Sequence, residues 1–133
     1  MVDLDGDGEY EIAVAHDGHD AYILNADGSV RKRVPMEHCQ NVLSGKFLGD
    51  VAGQQLIFVD RQVESGTRDA VLVGSDGLEI SRHPTLGYYE PVLWETDVGP
   101  LSLIRVERPP EPSGEHRVVW VDPNGVELGR FNV

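Results

Sequence analysis

The sequence predicts an all-β protein, and two observations favour this fold class. Helical periodicity is nearly absent, whereas short β-branched and aliphatic runs alternate with turns rich in Gly, Asp and Asn. These runs follow one another at the spacing of antiparallel strands. We therefore expect strands at 11–15, 21–24, 29–34, 42–47, 55–60, 70–74, 78–82, 92–95, 101–107, 117–121 and 126–131.

Three similar turns indicate an internal repeat. Their glycines, Gly28, Gly77 and Gly125, lie 49 and then 48 residues apart, and each precedes a strand with an arginine at the fifth residue after the glycine. A period in this range with about four short strands per unit is typical of propeller blades. The sequence therefore predicts about three blades of a β-propeller built from four-stranded antiparallel sheets, at about 1–37, 38–84 and 85–133. Closed propellers have about 4–8 blades, so we expect a segment of a larger propeller, completed by the remaining blades of a parent chain.

Two polar stretches interrupt the repeat at matching positions. Residues 60–69 separate two strands of the second unit, and the Pro-rich residues 108–116 do the same in the third. Insertions at equivalent positions of a propeller collect on one face, which is often the binding face.

Charge and composition exclude some classes of function. The chain has 133 residues, a formal net charge of -12 and a pI near 4.6, and it has no basic stripe that would bind nucleic acid. No apolar run approaches the roughly 18 residues of a membrane span. Cys39 is the single cysteine, so no internal disulfide is expected.

The acidic stretch at residues 3–11 has the pattern of a calcium loop. Acidic side chains alternate along it, two glycines let the backbone curl, and an apolar run follows at once. The EF-hand pattern requires a glutamate at its twelfth position, where this chain has Val14, so the loop is expected to lead into a strand. The predicted ligands are the side chains of Asp3, Asp5, Asp7 and Glu11 and the main-chain carbonyl of Glu9.

The first unit resembles the FG-GAP, or integrin-alpha, type of calcium-binding propeller repeat through this loop and the strand after it. The equivalent loop of the second unit, residues 47–55, keeps only Asp50 as an acidic residue. The sequence therefore predicts one complete calcium loop. The alternative interpretation of residues 3–11 is an acidic, solvated turn.

The first two units together resemble the propeller of the rhamnogalacturonan lyases of polysaccharide lyase family 11. The matching motifs are a His-x-Gln at residues 38–40 before a Gly-Lys-Phe strand, an Asp-Arg that ends the next strand at residues 60–61, and an Asp-Gly hairpin at residues 76–77. The resemblance implies a calcium-dependent enzyme that cleaves pectic rhamnogalacturonan I by β-elimination, in an extracellular or periplasmic location. A fragment of this length is expected to be inactive by itself.

The same resemblance implies which residues face the cleft. His38 and Arg61 are implied as catalytic residues, and Gln40 and Lys46 as substrate-binding residues. β-Elimination requires a cation beside the uronate carboxylate, a base for the α-proton and an acid for the leaving oxygen.

Each of these residues also has a structural interpretation. His38 beside a cysteine is consistent with a packing residue, Arg61 with a structural ion pair, and Lys46 with a solvated strand position. Two other functions therefore stay open: a non-enzymatic calcium-binding propeller module that binds a glycan or a protein, and an array of blades with a structural role.

Overall fold

The computed structural model describes residues 1–48, 50–85, 92–96, 99–107, 117–121 and 126–132, and all regular secondary structure in these ranges is β-strand. The strands are β1 (Ile12–Ala15), β2 (Ala21–Leu24), β3 (Val30–Val34), β4 (Cys39–Gly45), β5 (Gln55–Arg61), β6 (Arg68–Val73), β7 (Glu79–Thr85), β8 (Val92–Thr96), β9 (Gly99–Glu107), β10 (Arg117–Val121) and β11 (Glu127–Asn132).

Three antiparallel sheets are formed by strands that follow one another in the chain. Sheet 1 has the order β1-β2-β3, sheet 2 has the order β4-β5-β6-β7, and sheet 3 has the order β8-β9-β10-β11. Each strand thus pairs with its neighbour in sequence, as hairpin connections require. The prediction of an all-β chain with antiparallel sheets is confirmed.

The last hairpins of sheets 1 and 2 are built in the same way. A bulge precedes each turn, and the turn residues Gly28 and Gly77 have φ values of 83° and 75°, which favour glycine. Asp27 and Asp76 accept hydrogen bonds from the amides just after these glycines, at 2.8 and 2.9 Å. The bulge recurs in sheet 3 between β10 and β11. The third predicted turn at 122–125 and the insertion at 108–116 lie outside the described residues.

Sheets 1 and 2 correspond residue by residue. Glu11 before β1 corresponds to Gln55 at the start of β5, which is 44 residues later, whereas the following hairpins are offset by 49 residues. The five extra residues lie in the connection between β5 and β6, inside the polar stretch expected from the sequence. Strands β1, β2 and β3 are therefore the counterparts of β5, β6 and β7. In place of a counterpart of β4, the described residues contain one bridge, between Val2 and Glu11, with backbone bonds of 2.9 and 2.8 Å.

One hydrophobic core lies between sheets 1 and 2, and a second lies on the opposite face of sheet 2. The first core contains Leu56, Phe58, Val71 and Val73 of sheet 2, all fully buried against side chains of sheet 1 that include Ala21, Ile23 and Val34. The second core contains Phe47, Ile57 and Leu72. Side chains of sheet 2 alternate between these two cores because successive residues of a strand point to opposite faces.

Candidate functional site

The acidic loop at residues 3–11 curls around the carboxylate of Asp3. Its Oδ1 atom accepts a hydrogen bond from the amide of Gly6 at 2.8 Å, and its Oδ2 atom accepts one from the amide of Gly8 at 3.2 Å. Both glycines have positive φ, 83° and 92°, which side chains with a Cβ adopt only at a cost. The predicted role of the glycines in curving the backbone is thus visible in the dihedral angles.

Glu11 closes the loop from inside the protein. Its side chain is 3% exposed, and its Oε2 atom accepts a hydrogen bond from the amide of the fully buried Leu4 at 2.8 Å. A buried carboxylate is costly unless it is paired or hydrogen bonded. The loop therefore has one buried carboxylate, that of Glu11, beneath the more exposed carboxylates.

Three of the predicted ligands come together. Asp3, Asp5 and Glu11 each offer a carboxylate oxygen, and these atoms lie within 4.8 Å of one another. Oxygen atoms are the ligands that calcium prefers, so the donor chemistry fits the predicted ion. Asp7, the fourth predicted side-chain ligand, lies outside this three-carboxylate cluster, and the predicted carbonyl ligand of Glu9 stays a prediction. Asp7 instead accepts a hydrogen bond from the amide of Glu9 at 2.8 Å.

A cationic partner of the loop, Arg31 on β3, was missed in the sequence analysis. Its guanidinium contacts Asp5 Oδ2 at 2.5 Å and Glu11 Oε1 at 2.7 Å. The hydrogen bond from Arg31 holds the pKa of Asp5 below its ordinary value. The cluster of acidic groups is thus partly neutralised from within the chain. The signal in the sequence was the basic strand after the first Asp-Gly turn, but nothing local links that strand to the loop.

The corresponding loop of sheet 2 is held by different chemistry. Gln55 is fully buried and accepts a hydrogen bond from the amide of Leu48 at 2.9 Å, in the position of Glu11. The ammonium of Lys46 donates to the carbonyls of Val51 and Gly53, the latter at 2.8 Å. This loop, which the sequence analysis judged incomplete for calcium, therefore has a lysine side chain bound to its backbone.

The two residues implied as catalytic lie beside each other. The amide of Arg61 donates to the carbonyl of His38 at 3.0 Å, and the His38 ring contacts Asp17 at 2.6 Å between Nε2 and Oδ1. Gln40 accepts a hydrogen bond from the Arg68 side chain at 3.0 Å. Lys46 comes just after the last residue of β4, whereas His38 comes just before its first. The structure thus places three of the four residues at one end of the β4–β5 pair, with His38 and Arg61 joined through their backbones, and Lys46 lies at the other end of β4.

The backbone at His38 is held by a buried network of hydrogen bonds and ion pairs that the sequence analysis did not predict. Asp60 is 1% exposed and accepts hydrogen bonds from the amides of Glu37 and His38 at 2.9 and 2.8 Å. Its second oxygen contacts Arg82 at 2.9 Å. Burial opposes the charge of Arg82, but hydrogen bonds to Glu79, Asp60 and Asp69 hold the pKa of Arg82 above its ordinary value. The ion-pair partner of Asp60 is thus two strands away, on β7.

The acidic loop and the His38 region lie at opposite ends of β1. The loop precedes Ile12, and Asp17 follows Ala15, so the four-residue strand separates them by roughly 13 Å at about 3.3 Å per residue. A group in contact with His38 would therefore lie too far from the acidic loop to contact an ion bound there as well.

Comparisons with known proteins give no indication of the function. The chain matches no family model, and no curated protein and no solved structure matches it either. Within the described residues, no helix is long and apolar enough to cross a membrane.

Proposed function

We propose that the chain is a calcium-binding segment of a β-propeller of the FG-GAP type, which acts as a module for binding a glycan or a protein. The observation that carries the calcium proposal is the convergence of Asp3, Asp5 and Glu11 within 4.8 Å on a loop curled by two glycines. Like charges at this spacing repel one another unless a cation offsets them.

The repeat supports the propeller part of the proposal. Successive sheets have the same strand order and the same bulged hairpin, and sheet 1 packs on sheet 2 through a continuous core. A propeller is an array of such antiparallel sheets around an axis. Calcium in the loop would connect the segment before β1 to the sheet, so its proposed role is to stabilise the first unit.

Calorimetric titration with calcium tests this proposal. The chain is expected to bind one calcium ion saturably, and Asp5→Asn is expected to weaken binding at least tenfold. Asp27→Asn is the matched control, because it also removes one negative charge but lies outside the three-carboxylate cluster. A folded chain that releases no heat with calcium, or equal losses in both variants, would contradict the proposal.

A second candidate function, polysaccharide lyase activity of the complete propeller, is supported by the pair of His38 and Asp17. A carboxylate oxygen 2.6 Å from Nε2 of the imidazole accepts its N–H and orients the ring, which leaves Nδ1 as the nitrogen that can take a proton. His38 is thus equipped to take the α-proton of a galacturonate. Arg61, which is exposed and adjacent, would neutralise the uronate carboxylate, and Gln40 would contact the sugar. In this proposal the calcium of the loop has a structural role, because β1 separates it from His38.

The lyase proposal is tested with rhamnogalacturonan I and a complete propeller that contains these repeats. β-Elimination removes the α-proton, expels the glycosidic oxygen from the β-carbon and leaves an unsaturated uronate, which raises ultraviolet absorbance. His38→Ala is expected to abolish this rise, whereas His19→Ala is expected to retain it. A wild-type propeller that yields no absorbance change would contradict the lyase function and leave the calcium proposal intact.

A further inference from the structure

The face of sheet 1 that points away from sheet 2 is apolar on β1 and β2, whereas β3 adds Arg33, the partner of Tyr22 in the register. Ala13, Ala15, Ala21 and Ile23 belong to the core shared with sheet 2. Because side chains alternate along a strand, the residues between them point to the opposite face. We call this opposite face the outer face of sheet 1; its residues on β1 and β2 are Ile12, Val14, Tyr22 and Leu24.

The same positions in sheet 2 are buried by a neighbouring sheet. At the offsets of 44 and 49 residues, the outer-face residues correspond to Leu56, Phe58, Val71 and Val73, which are all 0% exposed beneath sheet 1. On sheet 1 all four positions are half-buried. The outer face therefore has the composition of an interface between sheets, but no described residue covers it as sheet 1 covers sheet 2.

Two contacts at the edge of the interface between sheets 1 and 2 show the same difference between the covered face of sheet 2 and the outer face of sheet 1. At Gly77 of sheet 2 an added Cβ would lie 2.5 Å from Lys32 of sheet 1, whereas at the corresponding Gly28 it would meet nothing within 4 Å. The amide of Gln54 donates to the carbonyl of Leu4 at 2.8 Å. Its counterpart Tyr10 is 58% exposed. These two contacts of the first unit with sheet 2 thus have an open counterpart on the other side of sheet 1.

We infer that the outer face of sheet 1 is a docking surface for a further β-sheet of this same repeat. The occupant presents a face of small aliphatic residues, as sheet 1 does with Ala13, Ala21 and Ile23, because that surface complements the equivalent face of sheet 2. This further sheet packs on sheet 1 in the same way that sheet 1 packs on sheet 2. Such a contact is heterologous, since each sheet uses a different face toward each neighbour. The inference rests on the propeller part of the proposed function and not on calcium binding.

A second copy of the chain is the available probe, because its sheet 3 has the strand order and bulged hairpin of the repeat. Sedimentation velocity over a range of concentrations is expected to show association of the wild-type chain. Val14→Lys and the milder Tyr22→Ser are expected to raise the dissociation constant at least tenfold. Val63→Lys is the matched control, because Val63 is apolar and 58% exposed in the connection between β5 and β6, and it is expected to leave association unchanged. Circular dichroism reports whether each variant is folded.

Three results would overturn the inference. The wild-type chain could stay monomeric up to millimolar concentration, or Tyr22→Ser and Val63→Lys could have the same effect. The third result is rapid disulfide formation between two copies of a Leu24→Cys variant in a Cys39→Ala background, which would place two outer faces against each other. Measurements in calcium and in chelator should agree, so loss of calcium binding alone leaves this test unaffected.

Discussion

Glu11 and Gln55 have the same structural role in two successive sheets. Each is buried, and each accepts a hydrogen bond from the amide of the leucine seven residues earlier, at 2.8 and 2.9 Å. The backbone of both loops therefore bonds to a side-chain oxygen at this position, whereas the negative charge is present in the first loop alone. The two loops thus allow the structural role of this residue to be separated from its proposed role as a calcium ligand.

Glu11→Gln tests this separation. The amide oxygen of glutamine is expected to retain the bond to Leu4 while the ion pair with Arg31 is lost, so the free energy of unfolding in chelator should fall by about 1–3 kcal/mol. Calcium affinity should fall at least tenfold, because one buried carboxylate ligand is lost. Urea unfolding and calorimetric titration measure the two effects. Glu9→Gln is the control, since only the carbonyl of Glu9 was predicted as a ligand. Equal losses of affinity in both variants would contradict the assignment.

Arg31→Met is expected to raise the affinity of the loop for calcium about tenfold, an effect of about 1.4 kcal/mol at the scale of close charge pairs. The guanidinium contacts two of the three clustered carboxylates, so it competes with the ion for them. Titration in low salt measures the change. Arg33→Met is the matched control, because Arg33 lies on the same strand and pairs with Asp20 instead. Unchanged affinity in Arg31→Met would show that Arg31 and the ion do not compete.

Arg82→Met is expected to destabilise the protein by about 2–4 kcal/mol, since it leaves the buried carboxylate of Asp60 without its cation. Equilibrium unfolding in urea measures the loss. Arg33 occupies the equivalent position of sheet 1, and its side chain is 66% exposed in the ion pair with Asp20. Arg33→Met should therefore cost much less. A loss for Arg82→Met as small as that of Arg33→Met would show that the amides of Glu37 and His38 suffice to hold Asp60.

The strands and turns could be predicted from the sequence because their signals are local. The Asp-Gly turn at Gly28, for example, depends on residues within five positions of one another. The partners of the site residues could not be predicted, because they are distant in sequence. Arg31 contacts Asp5 across 26 residues, and Arg82 reaches Asp60 across 22. Neither pair has a local sequence pattern, since each is brought together by the fold of its own unit, as when β6 places β5 and β7 on either side of it.

The predicted loop ligands also divide into those positioned by local sequence and those positioned by tertiary contacts. Asp3 bonds to amides three and five residues later, so its position follows from the spacing of the glycines. The position of Glu11 depends on Leu4, whose burial depends on the core between two sheets. The sequence therefore indicated the residue types in the loop, whereas their grouping into Asp3, Asp5 and Glu11 depends on tertiary packing.

Cys39 gives the protein a stability limit at alkaline pH. Burial and the nearby Asp60 raise the pKa of the Cys39 thiol to about 11, against about 8.5 in an unfolded chain. The folded state thus favours the neutral thiol, so its contribution is complete below about pH 8.5 and is lost as the pH rises toward 11. The free energy of unfolding should fall more steeply from pH 8 to 10 in the wild type than in Cys39→Ala. Identical slopes would show that the thiol is not protected.

Lys46→Met distinguishes a structural from a substrate-binding role for Lys46. Its ammonium bonds to the carbonyls of Val51 and Gly53, so we expect removal of the charge to cost about 1–2 kcal/mol and to expose residues 50–54 to proteolysis. The loss should be the same in calcium and in chelator, because this loop lacks the carboxylates of the first. Urea unfolding and limited proteolysis measure both effects. Unchanged stability and protease resistance, with weaker binding of rhamnogalacturonan to the complete propeller, would instead assign Lys46 to the sugar. The position of Lys46 at the far end of β4 from His38 favours the structural outcome.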